Sequence, residues 1–238
     1  MRKFNVKSFR NVISNIVICA VLITLFFLSY AGGVMNVWTS SAVEPYYNGN
    51  KENNNITIMI NVYWGTEYIK PMLDIFAKYD IKTTFFVGGI WVSKNADVLQ
   101  QIINQGHEIG NHGYFHKDHQ NLSYEQNEEE ISTTHKIVQS ISNLEMNLFA
   151  PPSGSFSKTT LEVASNLGYQ TIMWTRDTID WRDKDTDLIY QRFITNAKGG
   201  DLILAHPTKN TVEALESAIN YFINNDFTLT TVSNNISK

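Results

Sequence analysis

His112 and His116 stand four residues apart in the stretch GHEIGNHGYFHKDH (106–119), which holds four of the chain's six histidines. On a helical turn that spacing puts two imidazoles on one face. Imidazole nitrogen is a favoured zinc ligand, and a catalytic zinc commonly adds a carboxylate. A further histidine, His206, closes DLILAH (201–206). An imidazole that titrates near neutrality can protonate a departing amine. Asp180 and Trp181 end DTIDW (177–181), and Pro151 lies in FAPPSGSF (149–156). Ser153 is no nucleophile elbow, because its Gly-x-Ser-x-Gly frame is absent.

Such groups need a scaffold, and the chain alternates β-rich runs with helical patterns. ITIMINV (56–62) reads as a buried strand, and PMLDIFAKY (71–79) as a helix opened by Pro71. Strand KTTFFVGG (82–89) and helix NADVLQQIINQG (95–106) follow, the latter ending in glycine. A long polar helix over 123–142, strand NLFA (147–150) and a helix over 157–167 come next. The pattern then runs strand YQTIMWT (169–175), helix 186–197, strand 201–206, helix 210–224 and strand FTLTTV (227–232). Repeated βα units predict an α/β fold: a parallel sheet with helices outside, closed or nearly closed into a barrel. In such folds chemistry gathers at the C-terminal ends of strands. Asn61, His112, Pro151, Asp180 and His206 all fall at or just after predicted strand ends.

The first ten residues carry Arg2, Lys3, Lys7 and Arg10, and the first acid is Glu44. The rest of the chain has 15 basic against 23 acidic residues, a balance that excludes a nucleic-acid binder. An apolar run from Val12 to Val37 is long enough to span a hydrocarbon core of ~30 Å. It reads as an uncleaved signal anchor or as a signal peptide cut near Ser29-Tyr30-Ala31. Either way the basic end stays cytoplasmic and the rest is exported. The only cysteine, Cys19, lies in that run, so no disulfide supports the domain. The expected organisation is a basic, apolar N-terminus (1–37), a polar linker (38–55) containing EPYYNGNKENNN, and one domain (56–238).

Taken in order, INVYWG (60–65), GHEIGNHGYFH (106–116), FAPPSGSF, DTIDW and LAH resemble the polysaccharide deacetylases with the NodB homology domain, carbohydrate esterase family 4. The resemblance covers about residues 56–232 and implies a distorted (β/α) barrel. It implies that His112 and His116 are ligands of a divalent metal, usually zinc. It makes His206 the general acid, Asp180 the carboxylate that orients it, and Trp181, Leu204 and Pro151 parts of the substrate pocket. INVYWG and FAPPSGSF are similar to a sporulation-associated subgroup.

Two motifs depart from the family. Active members carry two adjacent aspartates after the first strand, the base and a metal ligand, in Thr-Phe-Asp-Asp-Gly. Aligned on Ile60-Asn61, the base place falls to Asn61 and the metal place to Val62. Aligned on Gly65, those places are Tyr63 and Trp64. Neither register supplies a carboxylate, and Glu67 is the nearest in sequence. Ala150 stands where the family has an arginine that pairs with the base, a coherent loss because a lone buried guanidinium is costly. The expectation is an envelope protein acting on, or only binding, N-acetylated cell-wall glycan. Its hydrolysis would be weak or lost and its metal weakly bound or absent. A non-catalytic glycan binder or a membrane-tethered spore-envelope scaffold is the alternative.

Overall fold

The computed structural model describes residues 6–33 and 43–237, with side chains of the N-terminal helix described over 14–27. The chain divides into two units, Met1–Ala42 and Val43–Lys238. The first holds helix α1 (Val6–Gly33). Among the described residues no helix is long and apolar enough to cross a membrane. The ends of the expected span, 12–13 and 28–37, lie outside the described side chains.

In the second unit β1 (Asn55–Val62) leads into α2 (Thr66–Lys78), and β2 (Thr84–Val87) into α3 (Gly89–Val92) and α4 (Ala96–Asn104). Then come β3 (Glu108–Asn111), α5 (Tyr124–Ser142), β4 (Leu148–Phe149), α6 (Lys158–Asn166), β5 (Gln170–Thr171) and β6 (Arg176–Asp177). The chain finishes with α7 (Thr186–Ile194), β7 (Leu202–Ala205), α8 (Lys209–Asn224), β8 (Thr228–Leu229) and α9 (Val232–Ile236). The sheet order is β5-β4-β3-β2-β1-β7-β6, with β8 added to the start of β1. Every pairing is parallel. Among the described residues β5 and β6 do not pair with each other, so the barrel is a half-barrel left open on that side.

Side-chain alternation along β1 sorts its residues between two cores. Ile56, Ile58, Ile60 and Val62 pack outward with Ile69, Met72 and Phe76 of α2 and Leu215, Ile219 and Phe222 of α8. Met59 faces inward with Phe86, Leu148, Ala150, Leu202 and Leu204. Asn61, two residues beyond Met59, continues that inner row at the end of the strand.

Several expectations need correction. Helix α2 begins at Thr66, not Pro71, so the proline is its sixth residue and forgoes the bond to Glu67 O, a loss offset by the four buried side chains that anchor the helix. Strands β3 and β6 and helix α9 were not expected, because two to five residues carry too little periodicity to be read. Residues 46–54 are not a free linker. Tyr46 donates its N–H to Thr171 O at 2.8 Å, Gly49 to Gly200 O at 2.7 Å and Asn50 to Asn235 O at 2.7 Å. A polar, Asn-rich composition hides this docking because it is the backbone that is paired.

Candidate active site

His112 follows β3 directly. Its N–H donates to Val87 O at 3.0 Å, and its Nδ1 lies 2.7 Å from Ala150 O. That leaves Nε2 as the ring nitrogen for the cavity. The four-residue spacing to His116 is bridged by a loop and not by a helical turn. Gly113 (φ 68°) and His116 (φ 58°) both adopt the left-handed region, and this bends the chain back on itself. The two imidazole centroids end 5.1 Å apart. Glu130 of α5, only 2% exposed, fixes the bend. Its Oε2 accepts the N–H of Tyr114 at 2.8 Å and of Phe115 at 2.7 Å, and its Oε1 meets Lys117 Nζ at 3.1 Å. Burial, aided by neighbouring His116, pushes His112 down to about 3, and burial lowers His116 as well. Both rings are therefore neutral at neutral pH, the form that can ligate.

Across the cavity, His206 stands one residue past β7. Asp180 holds it twice, accepting the His206 N–H on Oδ2 at 2.6 Å and facing Nδ1 with Oδ1 at 2.7 Å. The Thr211 hydroxyl also donates to Oδ2, at 2.5 Å. With Nδ1 donating to a carboxylate, Nε2 is the nitrogen turned to chemistry. This half of the site can orient an imidazole and pass a proton.

The cavity holds about 320 Å³ and is lined by Asn61, His112, His116 and His206, by Tyr63, Trp64, Trp174 and Trp181, and by Ser153, Asp177 and Leu204. Pro151, expected in the pocket, is not part of this wall; it is buried, with its carbonyl accepting the Gly154 N–H at 3.0 Å. Tyr63 places its ring 4.9 Å from that of His116, and Trp64 stacks on His206 at 5.8 Å. Gly65 then turns at φ 74°, where a Cβ would come within 2.0 Å of Pro207 O. Val62 points into the outer core and away from the cavity. Asn61 is 4% exposed and its Oδ1 finds no partner among the described residues. Glu67 is exposed in the first turn of α2 and outside the cavity wall, where it suits the helix N-terminus.

Among the described residues no group of three His, Cys, Asp or Glu side chains is placed to hold a metal ion. A catalytic zinc takes three protein ligands. Two imidazoles alone do not fit a firmly held cation. Sequence reasoning passed over Asp177 and Trp174. Asp177 stood inside DTIDW, and its only signal was the strand end that β6 makes when it pairs Asp177 with Leu204. The other histidines are structural: His107 accepts the Thr83 N–H at 3.1 Å, His119 meets Asn127 at 2.8 Å, and His135 bridges Tyr169 and Glu145.

Comparison with known proteins identifies relatives in both sequence and fold. The chain is 38% identical over 190 residues to the uncharacterized protein YlxY of Bacillus subtilis, covering 80% of this chain and 60% of that one. It thus spans about three-fifths of that relative's length. It is 30% identical over 188 residues to the peptidoglycan-N-acetylmuramic acid deacetylase PdaA of Bacillus subtilis, covering 76% and 72%. The crystal structure of BA3943, a CE4 family pseudoenzyme from Bacillus anthracis, matches with TM-score 0.80 and 33% identity over 82% of this chain and 69% of that one. A mutant of BA3943 with restored enzymatic activity superposes equally well, at TM-score 0.80. The sequence profile that describes polysaccharide deacetylases matches residues 48–172. With that match over more than half of the chain, and its motif residues gathered around one cavity, the protein belongs to the polysaccharide deacetylase family.

Proposed function

We propose that the protein binds N-acetylated cell-wall glycan, peptidoglycan being the first candidate, and hydrolyses its acetamido groups slowly or not at all. The observation that carries this reading is the pair of aromatic rings at Tyr63 and Trp64, lying over His116 and His206 where a base and a metal-binding carboxylate would be needed. We assign the two aspartate places of active members to these residues, because Val62 turns into the outer core and Gly65 keeps the tight turn that follows. A general base contributes roughly 10²–10⁴ in rate. Its loss, together with a donor set of two imidazoles, leaves only the His206–Asp180 half of the reaction. The likeness to a CE4 pseudoenzyme supports the same reading.

Four aromatic side chains in one cavity suit a sugar ring, whose apolar faces stack on indole and phenol. Trp64 and Trp181 are 44% and 56% exposed, unusual for residues of this size unless a partner covers them. The basic start and apolar run support a location at the membrane with the domain outside, either anchored or released by cleavage. A place in sporulation rests on the INVYWG and FAPPSGSF motifs alone. Zinc, where bound at all, would sit on His112 and His116 weakly. The test pairs two measurements on full-length protein in detergent: sedimentation with purified peptidoglycan, and acetate release from it. Binding with little or no acetate supports the proposal. Sustained acetate release abolished by His206→Ala overturns it.

A further inference from the structure

The cavity has an uneven charge. No lysine or arginine lines it. The His206–Asp180 pair is neutral or negative as a unit, whichever form His206 takes. Asp177 is the remaining carboxylate of the wall. One of its oxygens, Oδ1, accepts the Ile179 N–H at 2.7 Å and so shapes the turn toward Asp180. Its other oxygen has no hydrogen-bond or ion-pair partner among the described residues. Nearby cations are already engaged. Arg182 is held by Asp183 at 2.8 and 3.0 Å, stands 6.0 Å over the Trp181 ring and feels the charge of Asp177 more weakly than that of Asp183, while Arg192 is held by Thr178 O at 2.8 Å and Asp183 at 2.6 Å. Arg176 donates to the carbonyls of Arg192 and Thr195.

A carboxylate with one oxygen free of hydrogen bonds, beside three indoles and a phenol, is a site for a cation attached to an apolar body. The carboxylate offers a charge-assisted hydrogen bond, and the ring faces attract positive charge. Resting on the reading that this cavity binds N-acetylated cell-wall glycan, we propose that within such a chain it prefers the sugar units whose amine is free over their acetylated neighbours, and that Asp177 takes the ammonium. An acetamido group offers Asp177 one neutral N–H in place of an ammonium. An acidic substituent on the sugar would be repelled. The protein would then read stretches of the wall from which acetyl groups have already been removed, upstream of which a hydrolytic deacetylation must act.

The test compares glucosamine tetramer with N-acetylglucosamine tetramer by calorimetry on full-length protein in detergent, at a pH where the free amine is protonated. We expect the glucosamine tetramer to bind about tenfold more tightly. Asp177→Asn keeps an acceptor for the Ile179 N–H and should abolish most of that preference; Asp177→Ser, which also keeps one, serves if the first variant misfolds. The acidic remainder of the chain attracts any cationic oligomer, so a preference that persists in the Asp177 variants overturns the assignment. Equal binding of the two tetramers, or tighter binding of the acetylated one, overturns it while leaving glycan binding intact. Binding of neither overturns this inference, and sedimentation with peptidoglycan then decides the proposed function separately.

Discussion

Trp64 lies face to face with His206, the ring centroids 5.8 Å apart and the planes 8° from parallel. The histidine that would deliver a proton is thus sheltered by an indole on the loop that, in active relatives, is expected to carry carboxylates. Tyr63 does the same for His116 from the neighbouring position.

Restoring acids at these two positions should restore chemistry. We expect Tyr63→Asp with Trp64→Asp, and more so with Ala150→Arg, to raise acetate release from N-acetylglucosamine oligomers well above wild type. Asn61→Asp with Val62→Asp should instead lower thermal stability without gain in activity, because Val62 is fully buried in the outer core. A carboxylate there costs roughly several kcal/mol or stays protonated. Acetate assays and melting curves on the two double variants decide between the registers.

In that restored background Asp180→Asn should cost about 10²-fold or more in rate. The amide cannot accept both from the His206 N–H and from a protonated Nδ1 as the carboxylate does. Thr211→Val removes the hydroxyl's hydrogen bonds to Asp180 and to Thr208 and should cost about 1–3 kcal/mol of stability. Rate and melting temperature, measured on the same samples, separate the two effects.

Metal affinity should be weak in the wild type. Titration with zinc is expected to show a low-affinity event that vanishes in His112→Ala, and a rise in affinity in the Trp64→Asp variant. Zinc that survives dialysis of the wild type would mean that another side chain joins the pair.

Acid should destabilise the fold through its buried imidazoles. His107, wedged between Phe76 and Phe85, is pushed down to about 4, first by burial and then by Lys82. Its folded-state value lies below the unfolded one, so the unfolded chain binds the extra proton. The stability it protects is fully present above about pH 6.5 and falls away as pH drops toward 4. His107→Gln should flatten part of that limb in a melting-temperature profile, while His112, His116 and His119, shifted the same way, keep the rest.

Strong periodicity made β1, α5 and α8 legible in the sequence, and five short motifs marked the cavity before any coordinates. What stayed hidden was decided by tertiary contacts. The direction of Val62 depends on which face of β1 meets the helices, so two alignments of INVYWG looked equivalent until the strand was placed. The paired backbone of residues 46–54 leaves no trace in side-chain type. Asp177 drew no reading from the sequence, and only a two-residue strand sets it in the wall.

The Glu130 carboxylate anchors the Tyr114 and Phe115 amides and Lys117 from inside the domain. The bend carrying His112 and His116 is therefore built by the protein alone, with no need of a cation to shape it. The way back to catalysis thus stays open through changes on the β1–α2 turn and at Ala150, on a loop whose course needs no repair.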